Sequence, residues 1–438
     1  MQAATALSAC ILLAGCVGLP GPDGFEAAII KRTEGLPTLT PARGNDVKSV
    51  AQNGLLLSPS VREAASLVSA SADEVRVQRA ALFPGLGLSA GGGIGSARSG
   101  EPALELTGSQ LLFDGGNSQR AVKVADFDLQ INYIAFQKAV DDAMVELLKA
   151  YDNVQTQNEL LGIYKKQRNA LRELESLVAA RAESGAVSSS DLLEARKRLQ
   201  SAEFLVNDTE LALAEARDRL ILMSGQSQGG RVQISPVSCK ANGETDSLRM
   251  AQLELARAGI ALERAETAAL TPRVLLKPVL GGELGINKLP VGVNLDIQSD
   301  LLQGGALTAK ANAARNHLAA AEAKLGVARL EDNVAEHGLL RSLAAGGRKT
   351  TMLRRQIGLL SETRELYRSQ YFDMGTRRIS ELLDNEEEYY SRQAELVALR
   401  SEVTTNRLNC AVRSRILRRE LGLEGNSIYG FPLGPDLI

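Results

Sequence analysis

No tryptophan occurs among the 438 residues, and phenylalanine and tyrosine number only eight each. A chain of this length has enough material for two or three cores, so its apolar surface has to come from alanine and leucine instead of rings. Histidine is scarcer still. His317 and His337 leave little for a histidine-based triad or metal centre, and the four cysteines, at 10, 16, 239 and 410, are too widely spaced for a CxxC zinc or redox motif. An excess of one charge is missing too: 50 basic residues stand against 52 acidic ones, which argues against nucleic acid as a partner. After residue 16 no run of 18 apolar residues appears, so that part of the chain holds no transmembrane helix, and any membrane-spanning part has to be made of β-strands. These absences argue against an enzyme and call for no cofactor. The Gly91-Gly92-Gly93-Ile94-Gly95 run opens no helix and is followed by no P-loop Lys-Ser/Thr, so it reads as strand and loop.

What is present begins with an apolar stretch, Ala3 to Gly15, too short to span a bilayer and ending at Leu13-Ala14-Gly15-Cys16. Residues 1–15 read as a signal peptide. The four residues resemble the lipobox of bacterial lipoproteins, which implies lipidation of Cys16 ahead of a Gly/Pro-rich linker over 16–46. Leu7-Ser8-Ala9-Cys10 fits the same loose pattern, and the longer apolar run favours Cys16. An ordinary secretory signal is the alternative. One acyl group binds membranes only marginally, so a multiply acylated Cys16 would act as an auxiliary tether.

The rest of the chain repeats itself at about 189 residues. Ala80-Ala81-Leu82-Phe83-Pro84 answers to Ala268-Ala269-Leu270-Thr271-Pro272, and Leu112-Phe113-Asp114-Gly115-Gly116 to Leu301-Leu302-Gln303-Gly304-Gly305. Gly185 with Ser190-Asp191-Leu192-Leu193 answers to Gly375 with Ser380-Glu381-Leu382-Leu383. Three matches in register argue for duplication: a first repeat over 47–225, an intervening segment over 226–245, a second repeat over 246–422 and a tail over 423–438.

Each copy changes period at the same places. Val140, Met144, Leu147, Tyr151 and Val154 step alternately by four and three, as along a coiled-coil seam. Leu192, Leu199, Val206, Leu213 and Leu220 form one column seven apart, with Ala195, Ala202, Thr209 and Ala216 in another, and Leu382 to Leu417 repeats the first. Long helical hairpins over 116–225 and 304–422 therefore turn at Gly185 and Gly375. Period two takes over in 84–113 and 272–302, where Val291, Val293, Leu295 and Ile297 alternate with Gly292, Asn294, Asp296 and Gln298. Turns near 96–102 and 287–290 make each segment a β-hairpin. Strands of about ten residues with one apolar and one polar face suit a transmembrane barrel, and four strands cannot close one around a channel, so several chains must contribute. A small soluble sheet capping a coiled coil is the alternative.

Hairpin, long helix, glycine-centred turn and long helix, twice over behind a lipobox, resemble the TolC-like outer-membrane factor family across residues 47–422. The resemblance implies a mainly α fold with a β-barrel part: a homotrimer with a twelve-stranded outer-membrane barrel, a twelve-helix periplasmic tunnel and an equatorial belt holding 226–245. It also implies an outer-membrane, lipid-anchored duct for drugs or secreted proteins, joined through a periplasmic adaptor to an inner-membrane pump of RND or ABC type. A type I protein-secretion duct is the rival within the class. A non-conducting periplasmic coiled-coil or adaptor protein is the rival outside it.

By position in the Gly375 motif, the resemblance makes Arg377 a gate link to Asp191 and Ser190, and Glu381 and Asp384 the carboxylates of two stacked rings at the closed end. Spaced by three, the two carboxylates share a helix face. Phe372 stands where the family has a linking tyrosine, so that link is absent or moves to Tyr371. The turns at Gly185 and Gly375 become adaptor-docking tips. Counting from the tips puts Cys239 and Cys410 both at the equatorial level, either as a disulfide in an oxidising compartment or as two packed thiols.

Overall fold

The computed structural model describes residues 21–91, 103–235, 239–241, 244–268, 271–283, 291–299 and 305–434. The signal peptide, Cys10 and Cys16, the glycine run over 92–95, both hairpin turns and Leu301 to Gly304 lie outside the described residues.

Two long helices of equal length dominate. Helices α1 (Gly24–Thr33), α2 (Val47–Leu57) and α3 (Pro59–Ala80) precede strands β1 (Gly85–Gly91) and β2 (Ala103–Phe113). Helix α4 (Asn117–Glu183) then runs 67 residues, about 100 Å at 1.5 Å per residue, and α5 (Ser189–Ser224) returns. The second half repeats the series with α6 (Asp246–Ala268), β3 (Arg273–Glu283), β4 (Val291–Gln298), α7 (Ala306–Phe372) and α8 (Ile379–Arg413). Helix α7 also has 67 residues. The short α9 (Leu417–Glu420) and a hairpin of β5 (Ser427–Ile428) and β6 (Phe431–Pro432) complete the chain.

The seams read from spacing face inward. Val140, Met144, Leu147, Tyr151 and Val154 of α4 are buried, as are Val206, Leu213 and Leu220 of α5 beside the small column Ala195, Ala202, Thr209 and Ala216. Small residues in one column let α5 lie close along α4. Helix α5 packs on α4, α4 on α8 and α8 on α7, so the lower helices form a row with α5 and α7 at its ends.

The segment 16–46, read as a linker, contains α1. Asp23 caps it through Gly24 N at 2.8 Å, and Glu26, buried in its first turn, pairs with Arg76 of α3. The two ends of the described chain meet, with Leu39 N donating to the Ser427 carbonyl at 2.8 Å and Gln137 of α4 donating to the Pro432 carbonyl.

The four strands form one antiparallel sheet in the order β1-β2-β3-β4, leaving β1 and β4 as its edges. Register places Leu88 opposite Leu106, Leu276 opposite Leu295, and Val274 opposite Ile297. Side chains two apart share a face, so Leu86, Leu88, Val293, Leu295 and Ile297 form one apolar side, and all five are exposed. Lys277 and Asp296, paired at 2.5 Å, lie on the other. Among the described residues no helix is long and apolar enough to cross a membrane.

Candidate functional site

The tip of the helical row gathers the residues singled out by the resemblance. Leu171, Leu174 and Val178 of α4, Ala195 and Ala202 of α5, Tyr371 of α7, and Ile379, Leu382 and Leu383 of α8 form a single buried cluster. Both hairpins therefore share a core here. Their turns pass through Gly185 and Gly375 at φ 75° and 66°, a left-handed conformation that costs glycine little.

Arginines knit the tip together. Arg377 reaches Glu381, one turn along α8, donates from Nε to Gln370 Oε1 at 2.8 Å, and stacks over the Tyr367 ring at 4.1 Å. Asp191 is committed elsewhere within the chain. The Ser188 hydroxyl accepts from Asp191 N at 3.2 Å and donates to Asp191 Oδ2 at 2.8 Å, a cap at the start of α5, with Ser190 Oγ 2.7 Å from Ser188 Oγ. Among the described residues, then, the expected link of Arg377 to Asp191 and Ser190 is not formed within one chain.

The two ring carboxylates do not stand bare. Glu381 is held by Arg377, and Asp384 by Arg198 of α5, whose Nη2 donates to it at 2.9 Å. Arg198 also donates to Glu194 Oε1 at 2.8 Å and to Glu387, so one guanidinium faces three carboxylates. Charge at this level is partly neutralised across the two hairpins, because an arginine three helical turns from Ser188 points at α8. That residue lay outside the motif match. The signal for it was the run Arg196-Lys197-Arg198 facing an acidic stretch on the repeat's equivalent helix.

Arg181, in the last turn of α4, was equally unforeseen. It donates to the Tyr371 and Phe372 carbonyls at 3.2 and 2.6 Å and stacks on both rings, satisfying the end of α7 with a cation. Burial pushes the Tyr371 hydroxyl above the usual phenol range; the Arg181 cation opposes this and the Asp191 charge adds to it. Tyr371 thus stands near Asp191, where Phe372 has no hydroxyl to offer. Deeper in, Arg364 of α7 donates to the fully buried Glu386 at 2.6 Å and lies over Tyr389 and Tyr390.

Cys239 and Cys410 are bonded to each other, joining the segment between α5 and α6 to α8. Arg413 lies beside them, donating to the Cys239 carbonyl at 3.2 Å and pairing with Asp332 of α7 at 2.9 Å. Among the described residues no group of three or more His, Cys, Asp or Glu could hold a metal ion.

The profile of the outer membrane efflux protein family matches residues 50–226. The whole architecture superposes on the Campylobacter jejuni CmeC outer membrane channel with a TM-score of 0.75 at 12% identity, covering 89% of this chain and 87% of that one. The likeness to that family thus lies in residues 50–226, and the fold of the chain is that of the channel. The Vibrio cholerae outer membrane protein VceC gives the same TM-score at 16% identity, over 84% of this chain and 95% of that one. Protein CyaE of Bordetella pertussis is 27% identical over 229 residues, half of this chain and 48% of that protein. The match therefore spans about half the length of that curated relative. The long hairpins with a four-stranded sheet are the fold of those outer membrane channels.

Proposed function

We propose that this chain is the outer-membrane duct of a tripartite export system. Three copies join their sheets into one barrel and their helical rows into one tunnel, which carries drugs or secreted proteins outward from an inner-membrane pump and a periplasmic adaptor. The observation that carries the reading is the sheet: four strands with an apolar exposed face and, among the described residues, two unpaired edges, at the end of helices about 100 Å long. In lipid such edges are satisfied only by closure, and closure needs strands from further copies.

A lipid anchor at Cys16 fits the same picture. Arg79, six residues before β1, donates to the Gly21 carbonyl at 3.1 Å, which fixes the first described residue near the base of the sheet. Five residues of chain reach at most about 17 Å, so acyl chains on Cys16 would enter the leaflet beside the strands. The glycine turns at 185 and 375 would meet the adaptor, and Arg377, Asp191, Ser190, Glu381 and Asp384 would line the closed end between copies.

Reconstitution in planar bilayers tests the function. Trimers of low resting conductance are expected, and a water-soluble monomer that forms no channels would refute both the assembly and the transport role. Arg377→Ala should raise the resting conductance. Because Arg198 offsets Asp384 and Glu387, multivalent cations added at the tip side should block Arg198→Ala several-fold more strongly than the natural chain, and Glu381→Ala/Asp384→Ala more weakly. Unchanged block in both variants would place the aperture carboxylates elsewhere.

A further inference from the structure

Both ends of the helical row expose a second seam. On α5 the buried residues Val206, Leu213 and Leu220 face α4, and on the opposite side Phe204, Asp208, Leu211 and Glu215 step by four, three and four. Phe204 and Leu211 are 65% and 61% exposed. On α7, Gly346 and Leu353 are buried, Gly346 so close that an added Cβ would lie 2.6 Å from Val403 of α8. On the opposite side Arg348, Met352, Arg355 and Leu359 step by four, three and four, with Met352 71% and Leu359 58% exposed. An apolar and charged alternation with coiled-coil spacing, turned to solvent on a helix already packed on its other side, is a face without its partner.

The charges on these faces are unpaired as well. Asp208, Glu215, Arg348 and Arg355 are exposed and, among the described residues, take part in no salt bridge. Their neighbours on the same helices do: Glu203 with Arg172, Glu210 with Lys165, Arg368 with Glu173. From Glu336 to Glu362 helix α7 carries Arg341, Arg348, Lys349, Arg354 and Arg355 with no acidic residue between. One end of the row is cationic and the other anionic.

The heights of the two faces agree. Arg181 on the Tyr371 carbonyl puts each α7 residue level with the α4 residue about 190 positions earlier. Lys165 with Glu210, and Arg172 with Glu203, give the matching levels on α5. Carried across, Arg355 comes level with Glu210, two residues from Asp208, and Arg348 comes within two residues of Glu215. Met352 and Leu211, and Leu359 and Phe204, differ by the same two residues, about 3 Å of rise. Copies related by rotation about an axis along the helices share one height, so no sliding is needed to bring these levels together.

We propose that α7 of one copy and α5 of the next pack antiparallel, with Arg355 on Asp208 and Arg348 on Glu215, and with Met352 on Leu211 and Leu359 on Phe204 between them. The partner this surface fits is a second copy of the chain, and the proposal rests on the reading of the chain as a self-assembling duct. Contact of α7 with α7 would oppose arginines, and contact of α5 with α5 would oppose carboxylates. The ion pairs therefore select the head-to-tail seam and set its register.

Charge reversal in the full-length protein tests it, with oligomeric state in detergent read by light scattering. Arg348→Glu/Arg355→Glu, and separately Asp208→Arg/Glu215→Arg, should each raise the dissociation concentration at least tenfold. Combining all four should restore assembly, which a merely misfolded variant would not do. A chain carrying both Met352→Cys and Leu211→Cys should form covalent multimers on oxidation. Oligomers unaffected by either reversal, or no restoration in the fourfold variant, would overturn the seam while leaving the duct reading intact provided channels still form. A natural chain that stays monomeric and non-conducting would overturn both.

Discussion

Asp152 lies on the inner side of α4, its side chain 3% exposed, and its partners arrive from two distant parts of the chain. Arg231, in the segment between α5 and α6, donates to it at 3.2 Å while also binding Glu159 at 2.7 Å, and Ser401 of α8 donates to it at 2.7 Å. Arg231→Ala would strand a buried carboxylate, so we expect a loss of about 3 kcal/mol in denaturant unfolding. Burial works against the charge of Glu159, yet the hydrogen bonds of Arg231 and Gln155 hold its carboxyl below the ordinary value. A depressed carboxyl stabilises the fold above its unfolded value near 4.3, and that stabilisation is lost as pH falls through the folded one. The acid limb of the stability profile should therefore flatten in Arg231→Ala. The Cys239–Cys410 bond ties the same segment to α8, and its reduction should cost roughly 2–4 kcal/mol. Alkylation of unreduced protein followed by mass spectrometry checks it, since labels at 239 and 410 would show free thiols. Counting helical residues from the tips put the two cysteines level but could not tell a bond from packing. Asp152 was invisible to the same reading, because a carboxylate beside seam Tyr151 has the spacing of a surface residue until Arg231 is seen to cover it.

Helices α4 and α7 occupy equivalent places in the two repeats and have the same length, but their surroundings differ. Helix α4 buries side chains from Ala121 to Val178, whereas α7 buries only Leu325, Ala328, Gly346, Leu353 and Tyr371. Amide hydrogen exchange in a dissociated chain should accordingly be faster along α7 than along α4, and the gap should narrow on assembly. Equal protection in the dissociated chain would mean that α7 needs no further partner. The period of the apolar residues was enough to place the long hairpins and the strands, because seam positions recur over many turns and alternate over whole strands. It missed α1, a ten-residue helix in Gly/Pro-rich surroundings, although Asp23 with Glu26 three residues later has the form of a capping box. It also missed the pairing of tip charges. Spacing along α8 puts Glu381 and Asp384 on one face, but only the docking of α5 against that helix brings Arg198 to Asp384.

At the scale of the molecule the row of lower helices has a direction, cationic at α7 and anionic at α5. A directional row cannot form a dyad through either face, so in the proposed assembly growth would add copies in one sense until rotation closes the ring. Reversing the charges on α7 alone in one population makes both faces anionic, and on α5 alone in another makes both cationic, so each chain repels its own kind and attracts the other through either face, and a mixture of the two would have to alternate around the ring. Alternation requires an even number of places. In a ring of three, one seam must always join two faces of like sign. Mixed rings should therefore assemble less well than the natural chain at any mixing ratio, a frustration of parity that native mass spectrometry of the mixture would expose as a missing or weakened three-chain species.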